Sequence, residues 1–184
     1  DRIHQIMDIM IKAEAVTEEK AKEALNLATY TNDLREAVEG AVLVEECLPE
    51  RIDLKQSVYR QIQEITGKET LICSSTSGLF PTKLQEGALY PESILVAHPY
   101  NPSYLLPLIE LCGGEQTAPE RIGQAKQIWE AIGKVPVVCQ KESEGFLVNK
   151  LSWGCMQAAQ EAVKNGLCSV EDIDKAIMFG PGMR

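Results

Sequence analysis

Residues 93–114, SILVAHPYNPSYLLPLIELCGG, decide how this chain is read. Ile94-Leu95-Val96-Ala97 is a short aliphatic run that predicts a buried strand, and it ends at His98 just before a Pro99-Tyr100-Asn101-Pro102 corner. The imidazole therefore falls at a strand end. A second run, Leu105-Leu106-Pro107-Leu108-Ile109-Glu110-Leu111, embeds one carboxylate among aliphatics, where an unpaired charge is costly. Glu110 needs a partner, and His98 is the obvious candidate, because the other histidine, His4, lies in a polar-faced helix near the start. A histidine taken alone is more often a core residue satisfied by backbone. Here a His at a strand end, a buried Glu on a neighbouring strand and an Asn three residues on form a base, an orienter and a polariser.

Working outward, Gly40-Ala41-Val42-Leu43-Val44-Glu45-Glu46-Cys47 predicts another buried strand, closed by Leu48-Pro49. A helix over 52–65 follows, with Ile52, Val58, Ile62 and Ile65 available to a core and Gly67 as its stop. Thr70-Leu71-Ile72-Cys73 is the next strand. It runs into Ser74-Ser75-Thr76-Ser77-Gly78, a turn of small hydroxyl side chains that suits close approach of a ligand. A short helix is expected over 81–87, a longer one from Pro119 to about Ile132 ending at Gly133, and a last short strand at Pro136-Val137-Val138-Cys139. Strands alternating with helices point to an α/β sheet, mostly parallel and covered on both faces.

The ends differ from this middle. Ile3, Ile6, Met7, Met10 and Ile11 give 1–13 the spacing of an amphipathic helix, and Thr17-Glu18-Glu19-Lys20 caps a second one through about Leu25. A short, weak strand is expected over 26–30, then a helical turn over 34–39 capped by Asn32 or Asp33. After Gly145, Phe146, Val148 or Leu151, Met156 and Val163 recur at helical spacing to Asn165-Gly166, and Ser169 caps a further helix to Phe179. The division expected is 1–141 for the sheet domain and 142–184 for the start of an all-helical one. With no helix cap at its start and no clear terminus at its end, the chain reads as cut at both ends.

Bulk properties narrow the function classes. A chain of 184 residues, 45% of them hydrophobic, can form one substantial core and a small appendage. Eighteen Lys and Arg against 27 Asp and Glu give a formal charge of -9, which argues against nucleic acid or an anionic membrane surface as partner. The longest apolar runs fall far short of a membrane span, and the given sequence shows no charged start followed by an apolar stretch and a small-residue cleavage site. The six cysteines occur singly, without C-x-x-C spacing, and read as reduced, buried thiols of a cytoplasmic protein. A nucleophilic cysteine beside His98 is the sharper alternative, but none lies in a convincing nucleophile turn.

In open α/β sheets, ligands sit beyond the carboxyl ends of the strands. Glu46 and Glu50, Ser75 and Ser77, and His98 and Asn101 fall there after successive strands, with Asn149 at the start of the helical region. Each alone is more often a turn residue or a cap; their convergence is the signal. Oxidation of a secondary alcohol fits: a neutral imidazole takes the hydroxyl proton as hydride leaves the same carbon, and the buried carboxylate steadies the imidazolium. Asn and Ser can hydrogen-bond the developing carbonyl or a nicotinamide amide. Hydride transfer needs a cofactor, yet no G-x-G-x-x-G follows a strand, and Gly180-Pro181-Gly182 follows a helix.

At these residues the sequence resembles the 3-hydroxyacyl-CoA dehydrogenase family. The resemblance rests on Glu46-Cys47-Leu48-Pro49-Glu50 with Asp53-Leu54-Lys55, Ser74-Ser75-Thr76-Ser77-Gly78-Leu79, His98-Pro99-Tyr100-Asn101-Pro102, Pro107-Leu108-Ile109-Glu110, Gly145-Phe146-Leu147-Val148-Asn149-Lys150 and Glu171-Asp172-Ile173-Asp174. It implies a partial Rossmann-like, doubly wound α/β sheet followed by the start of a helical domain, with NAD as cofactor. It implies His98 as catalytic base with Glu110 as its carboxylate partner, Ser77 and Asn149 at the substrate, and Glu50, Lys55, Ser75 and Asn101 on the cofactor side. The family's glycine-rich phosphate loop would lie upstream of Asp1, and its members dimerise through the helical domain. Acyl-CoA members typically carry SNTSS and HFFNP; the variants here look more like the branch of carnitine 3-dehydrogenase and L-gulonate 3-dehydrogenase (lambda-crystallin), whose substrates are free 3-hydroxy acids. A CoA-ester dehydrogenase of fatty acid metabolism is the alternative within the class, and a non-catalytic crystallin-like structural protein the alternative outside it.

Overall fold

The computed structural model describes residues 2–183. Five strands form one sheet in sequence order: β1 (Leu43–Glu46), β2 (Leu71–Ser74), β3 (Ile94–Pro99), β4 (Leu108–Gly113) and β5 (Val135–Cys139). The first three are mutually parallel, β4 runs antiparallel to β3, and β5 is again parallel to β4. Chain length explains the reversal. Residues 100–107 are all that join β3 to β4, whereas a parallel crossover needs about a dozen residues or more. The chain has to turn straight back, and this puts His98 opposite Glu110 in the ladder.

The parallel pairs are joined through helices, and their sequences explain their limits. The helix α4 (Ile52–Thr66), between β1 and β2, turns Tyr59 and Ile62 inward and stops at Gly67, whose φ of 70° is readily adopted by glycine. Two further connections are the short α5 (Pro81–Leu84) and the longer α6 (Pro119–Ala131), each opened by a proline in its first turn, where no amide donor is missed. Side chains alternate across the strands with period two. Ile72, Ile94, Val96 and Cys112 pack on one side with Tyr59 and Ile62 of α4. Leu71, Cys73, Leu95, Ala97, Ile109 and Leu111 pack on the other with Ala125 and Trp129 of α6. Both faces are covered in the middle of the sheet, which is why these strands read as unbroken apolar runs.

Before the sheet come α1 (Arg2–Lys12), α2 (Glu18–Leu27) and α3 (Leu34–Val38). Thr17 caps α2 by accepting from the Lys20 amide, and Asp33 caps α3 by accepting from Arg35 and Glu36. The weak strand expected over 26–30 does not form: α2 continues through Leu27, and the residues after it join no ladder. An extended segment becomes a strand only by pairing. After the sheet, α7 (Val148–Lys164) and α8 (Val170–Phe179) follow, the latter capped by Ser169, and neither contains a buried residue. Phe146, expected on the apolar stripe of this region, instead precedes α7 with φ of 49° and is turned into the sheet core. All six cysteines are free thiols; Cys73, Cys112 and Cys139 are buried, whereas Cys47 and Cys155 are exposed. Among the described residues no helix is long and apolar enough to cross a membrane.

Candidate active site

His98 and Glu110 face each other across the one antiparallel pair, on the face of the sheet that carries Val96 and Cys112. His98 Nδ1 lies 2.8 Å from Glu110 Oε2, and the Glu110 side chain is wholly buried. The second carboxylate oxygen is engaged too: Oε1 accepts from the Leu147 amide at 2.7 Å and the Val148 amide at 2.9 Å. These are the opening amides of α7, donors that no intrahelical carbonyl can satisfy. Three N–H groups thus converge on a group that offers only acceptors, so Nδ1 carries a proton, and in the neutral imidazole the lone pair falls on Nε2. Among the described residues nothing hydrogen-bonds Nε2, and the side chain retains 9% of its surface exposed. The imidazole is held from behind and open at its reactive nitrogen.

Two consecutive left-handed residues make this possible. Gly145 has φ of 69° and Phe146 φ of 49°, and together they swing the chain so that α7 starts against Glu110. A Cβ on Gly145 would lie 2.5 Å from the Trp153 ring, so any other residue there has to displace that ring as well as adopt the positive φ. The Phe146 ring, 2% exposed, lies with its centroid 5.6 Å from that of His98, tilted by 37°.

A second polar cluster stands at the carboxyl end of β1. Glu46, 4% exposed, pairs with Lys55 Nζ at 2.7 Å and accepts from Ser74 Oγ at 2.9 Å, from the Tyr59 hydroxyl and from the Leu48 amide. Lys55 Nζ also donates to the Leu48 carbonyl at 3.0 Å. Burial and the adjacent Glu46 push the Tyr59 hydroxyl far above its ordinary range. The network ties the two strand-exit turns together, since the Ser75 amide donates to the Glu46 carbonyl at 2.9 Å. Next to it, Thr76 Oγ1 donates to Glu50 Oε2 at 2.6 Å, and the Ser77 amide lies 3.4 Å from Glu50 Oε1.

The residues singled out from sequence therefore fall into four groups. His98 and Glu110 are bonded to each other. Glu50 meets the Ser77 backbone, and Ser75 is bound through its amide to β1, while the Ser75 and Ser77 side chains have no hydrogen-bond partner among the described residues. Asn101 is exposed in the corner after β3, and Asn149 is half-buried in the first turn of α7, beside Gly145. Lys55 is 0% exposed, its ammonium engaged by Glu46 and Leu48. Phe146 and the Leu147 and Val148 amides were missed as site elements. The Gly145-Phe146 step was the available signal, because a glycine just before a helix often marks a turn of the chain.

An α/β sheet with polar groups gathered at the ends of its parallel strands, and a histidine backed by a buried carboxylate, has the arrangement of a ligand-binding domain that carries a candidate general base. Residues 1–143 match the NAD binding domain of 3-hydroxyacyl-CoA dehydrogenase, and the chain belongs to that family. It is 42% identical over 156 residues to L-carnitine dehydrogenase of Oceanobacillus iheyensis, covering 85% of this chain and 51% of the relative. It is 37% identical over 164 residues to lambda-crystallin of Oryctolagus cuniculus, covering 89% and 51%. Among solved structures, (S)-3-hydroxybutyryl-CoA dehydrogenase from Ralstonia eutropha superposes with a TM-score of 0.85 at 28% identity, covering 97% of this chain and 62% of that one. The chain spans about half the length of the two curated relatives.

The turn after β2 stands at the carboxyl end of that strand, where sheets of this kind receive their ligand. The Ser74–Gly78 turn is lined by small side chains, Gly78 has open space where a Cβ would stand, and the Glu50 carboxylate borders it. No glycine-rich phosphate turn occurs in this sequence to hold the pyrophosphate.

Proposed function

We infer that this chain carries the base of an NAD-dependent dehydrogenase that oxidises the 3-hydroxyl of a small L-3-hydroxy acid, carnitine-like or gulonate-like. The observation that carries this reading is the 2.8 Å contact between His98 Nδ1 and buried Glu110, with Nε2 left open. Nε2 accepts the hydroxyl proton, and the Glu110 carboxylate stabilises the imidazolium that results. NAD, when bound, supplies the hydride acceptor. Ser77 and Asn149 hold the substrate oxygens, and Asn101, Ser75 and Glu50 line the cofactor side. Lys55 serves that side by anchoring Glu46 and the Leu48 carbonyl beneath the turn.

Identity of 42% with a carnitine dehydrogenase, against 28% with the hydroxybutyryl-CoA enzyme, favours a free hydroxy acid over a CoA ester of fatty acid metabolism. A purely structural, crystallin-like role has no need of a buried His-Glu pair aimed at solvent. The domain division at residue 141, with 142–184 opening a helical substrate and dimerisation unit, is supported by where the last strand ends and by the exposed apolar side chains Leu151, Met156 and Phe179. A cytoplasmic setting agrees with six unpaired thiols. The test is NADH formation by the full-length protein with L-carnitine, L-gulonate and 3-hydroxybutyryl-CoA. His98→Gln is expected to lower turnover by roughly two orders of magnitude or more. Absence of activity on every hydroxy acid removes the enzyme reading, and near-wild-type turnover of the variant removes His98 from its role.

A further inference from the structure

The Glu110 contact fixes one nitrogen of the imidazole but leaves the ring plane free. The terminal torsion of histidine is broad, so a single hydrogen bond at Nδ1 permits the ring to swing and carry Nε2 away from a bound alcohol. A second constraint is present. Phe146 packs its ring against His98 at 5.6 Å, is 2% exposed, and holds a φ of 49° that bulky residues seldom adopt. Such a conformation persists only where the surroundings over-determine it. Here they do: Gly145 before it is roofed by the Trp153 ring, and the two amides after it are bonded to Glu110.

We propose that Phe146 is a positioning residue for the His98 base, and that residues 145–148 act as one clamp on both members of the pair. The ring sets the imidazole plane while the Leu147 and Val148 amides hold its carboxylate partner. Placement of α7 then governs the alignment of the base, although no side chain of α7 bonds to the imidazole. The proposal rests on His98 being the base, and its effect belongs on kcat because the groups assigned to substrate binding are untouched.

The chain has only two histidines, which makes imidazole nitrogen NMR direct, with His4→Gln assigning the signals. In the wild-type chain His98 is expected as one tautomer, protonated on Nδ1; a tautomer mixture there overturns the proposal whatever the variants do. Phe146→Leu, or Phe146→Met if the first fails to melt cooperatively, is expected to keep that tautomer, which the Glu110 contact sets, while the His98 ring carbon signals broaden as the ring plane samples more than one orientation. In the full-length enzyme the same variant is expected to lower kcat by roughly tenfold or more with KM within about twofold. A variant with ring signals as sharp as wild type, or, in an active enzyme, with wild-type kcat, shows Phe146 to be filler of the core, and the proposal fails. If the full-length protein oxidises no hydroxy acid while the ring signals respond as stated, the functional reading fails and the positioning stands.

Discussion

Glu45 offers a sharp test of how this sheet handles a buried charge. It follows Val44 on β1, opposite Cys73 of β2, and neither of its carboxylate oxygens has a hydrogen-bond partner among the described residues. Burial first, then the negative charge of Glu46, raises its pKa from 4.5 to about 9, with Lys55 opposing the shift. In the unfolded chain the group ionises near pH 4.5; in the folded chain it stays protonated until near pH 9. Between those values the folded state binds the extra proton, so this site's stabilisation is complete below pH 4.5 and is lost progressively as pH rises towards 9. The slope is about 1.4 kcal/mol per pH unit, which places the penalty at pH 7 at about 3 kcal/mol. Glu45→Gln keeps the shape and removes the titration. Urea unfolding followed by tryptophan fluorescence should show the variant nearly equal to wild type near pH 4.5 and more stable by about 3 kcal/mol at pH 7, the gap widening up to pH 8. A gap that stays constant from pH 5 to 8 would refute the reasoning, because it would mean that Glu45 titrates alike in both states.

Two further expectations concern the elements that frame the site. Lys55→Met leaves the Glu46 carboxylate buried without its cation and should destabilise by about 3–5 kcal/mol in the same assay, whereas adding Glu46→Gln should recover part of that loss; a double variant no better than Lys55→Met would count against the pairing. Gly145→Ala combines a φ of 69° with a Cβ 2.5 Å from Trp153, so a loss of about 1–3 kcal/mol is expected, together with faster amide exchange at Leu147 and Val148; unchanged exchange at those amides would show that the turn is not what holds α7 on Glu110.

Much of the frame was legible because it depends on local chemistry. Gly67 marks the end of α4 by its left-handed backbone, Asp33 and Thr17 cap helices as their positions suggested, and the aliphatic runs at β2 and β3 match strands covered on both sides. The His98–Glu110 contact followed from the cost of burying an unpaired carboxylate. Other features depend on what lies across space. Residues 26–30 read as a weak strand, yet Asn26 and Leu27 close α2 and residues 28–30 have no ladder to join. Phe146 matched a helical stripe by spacing, yet two left-handed residues move it off the helix and onto the imidazole. Lys55 looked like a ligand-facing cation beside Glu50, but its side chain turns inward to Glu46 on β1.

The sequence by itself determined that an α/β sheet would form and that a histidine would need a carboxylate, since hydrophobic period and the desolvation of a charge are properties of residues and their neighbours along the chain. The tertiary structure decided how that pair is held. The reversal of β4 sets the register that makes His98 and Glu110 partners, and the amides on Glu110 and the ring on His98 come from a segment about 40 residues further on. Contacts at that separation are fixed where the 145–148 turn meets Glu110 and His98 on the sheet, which no local pattern records.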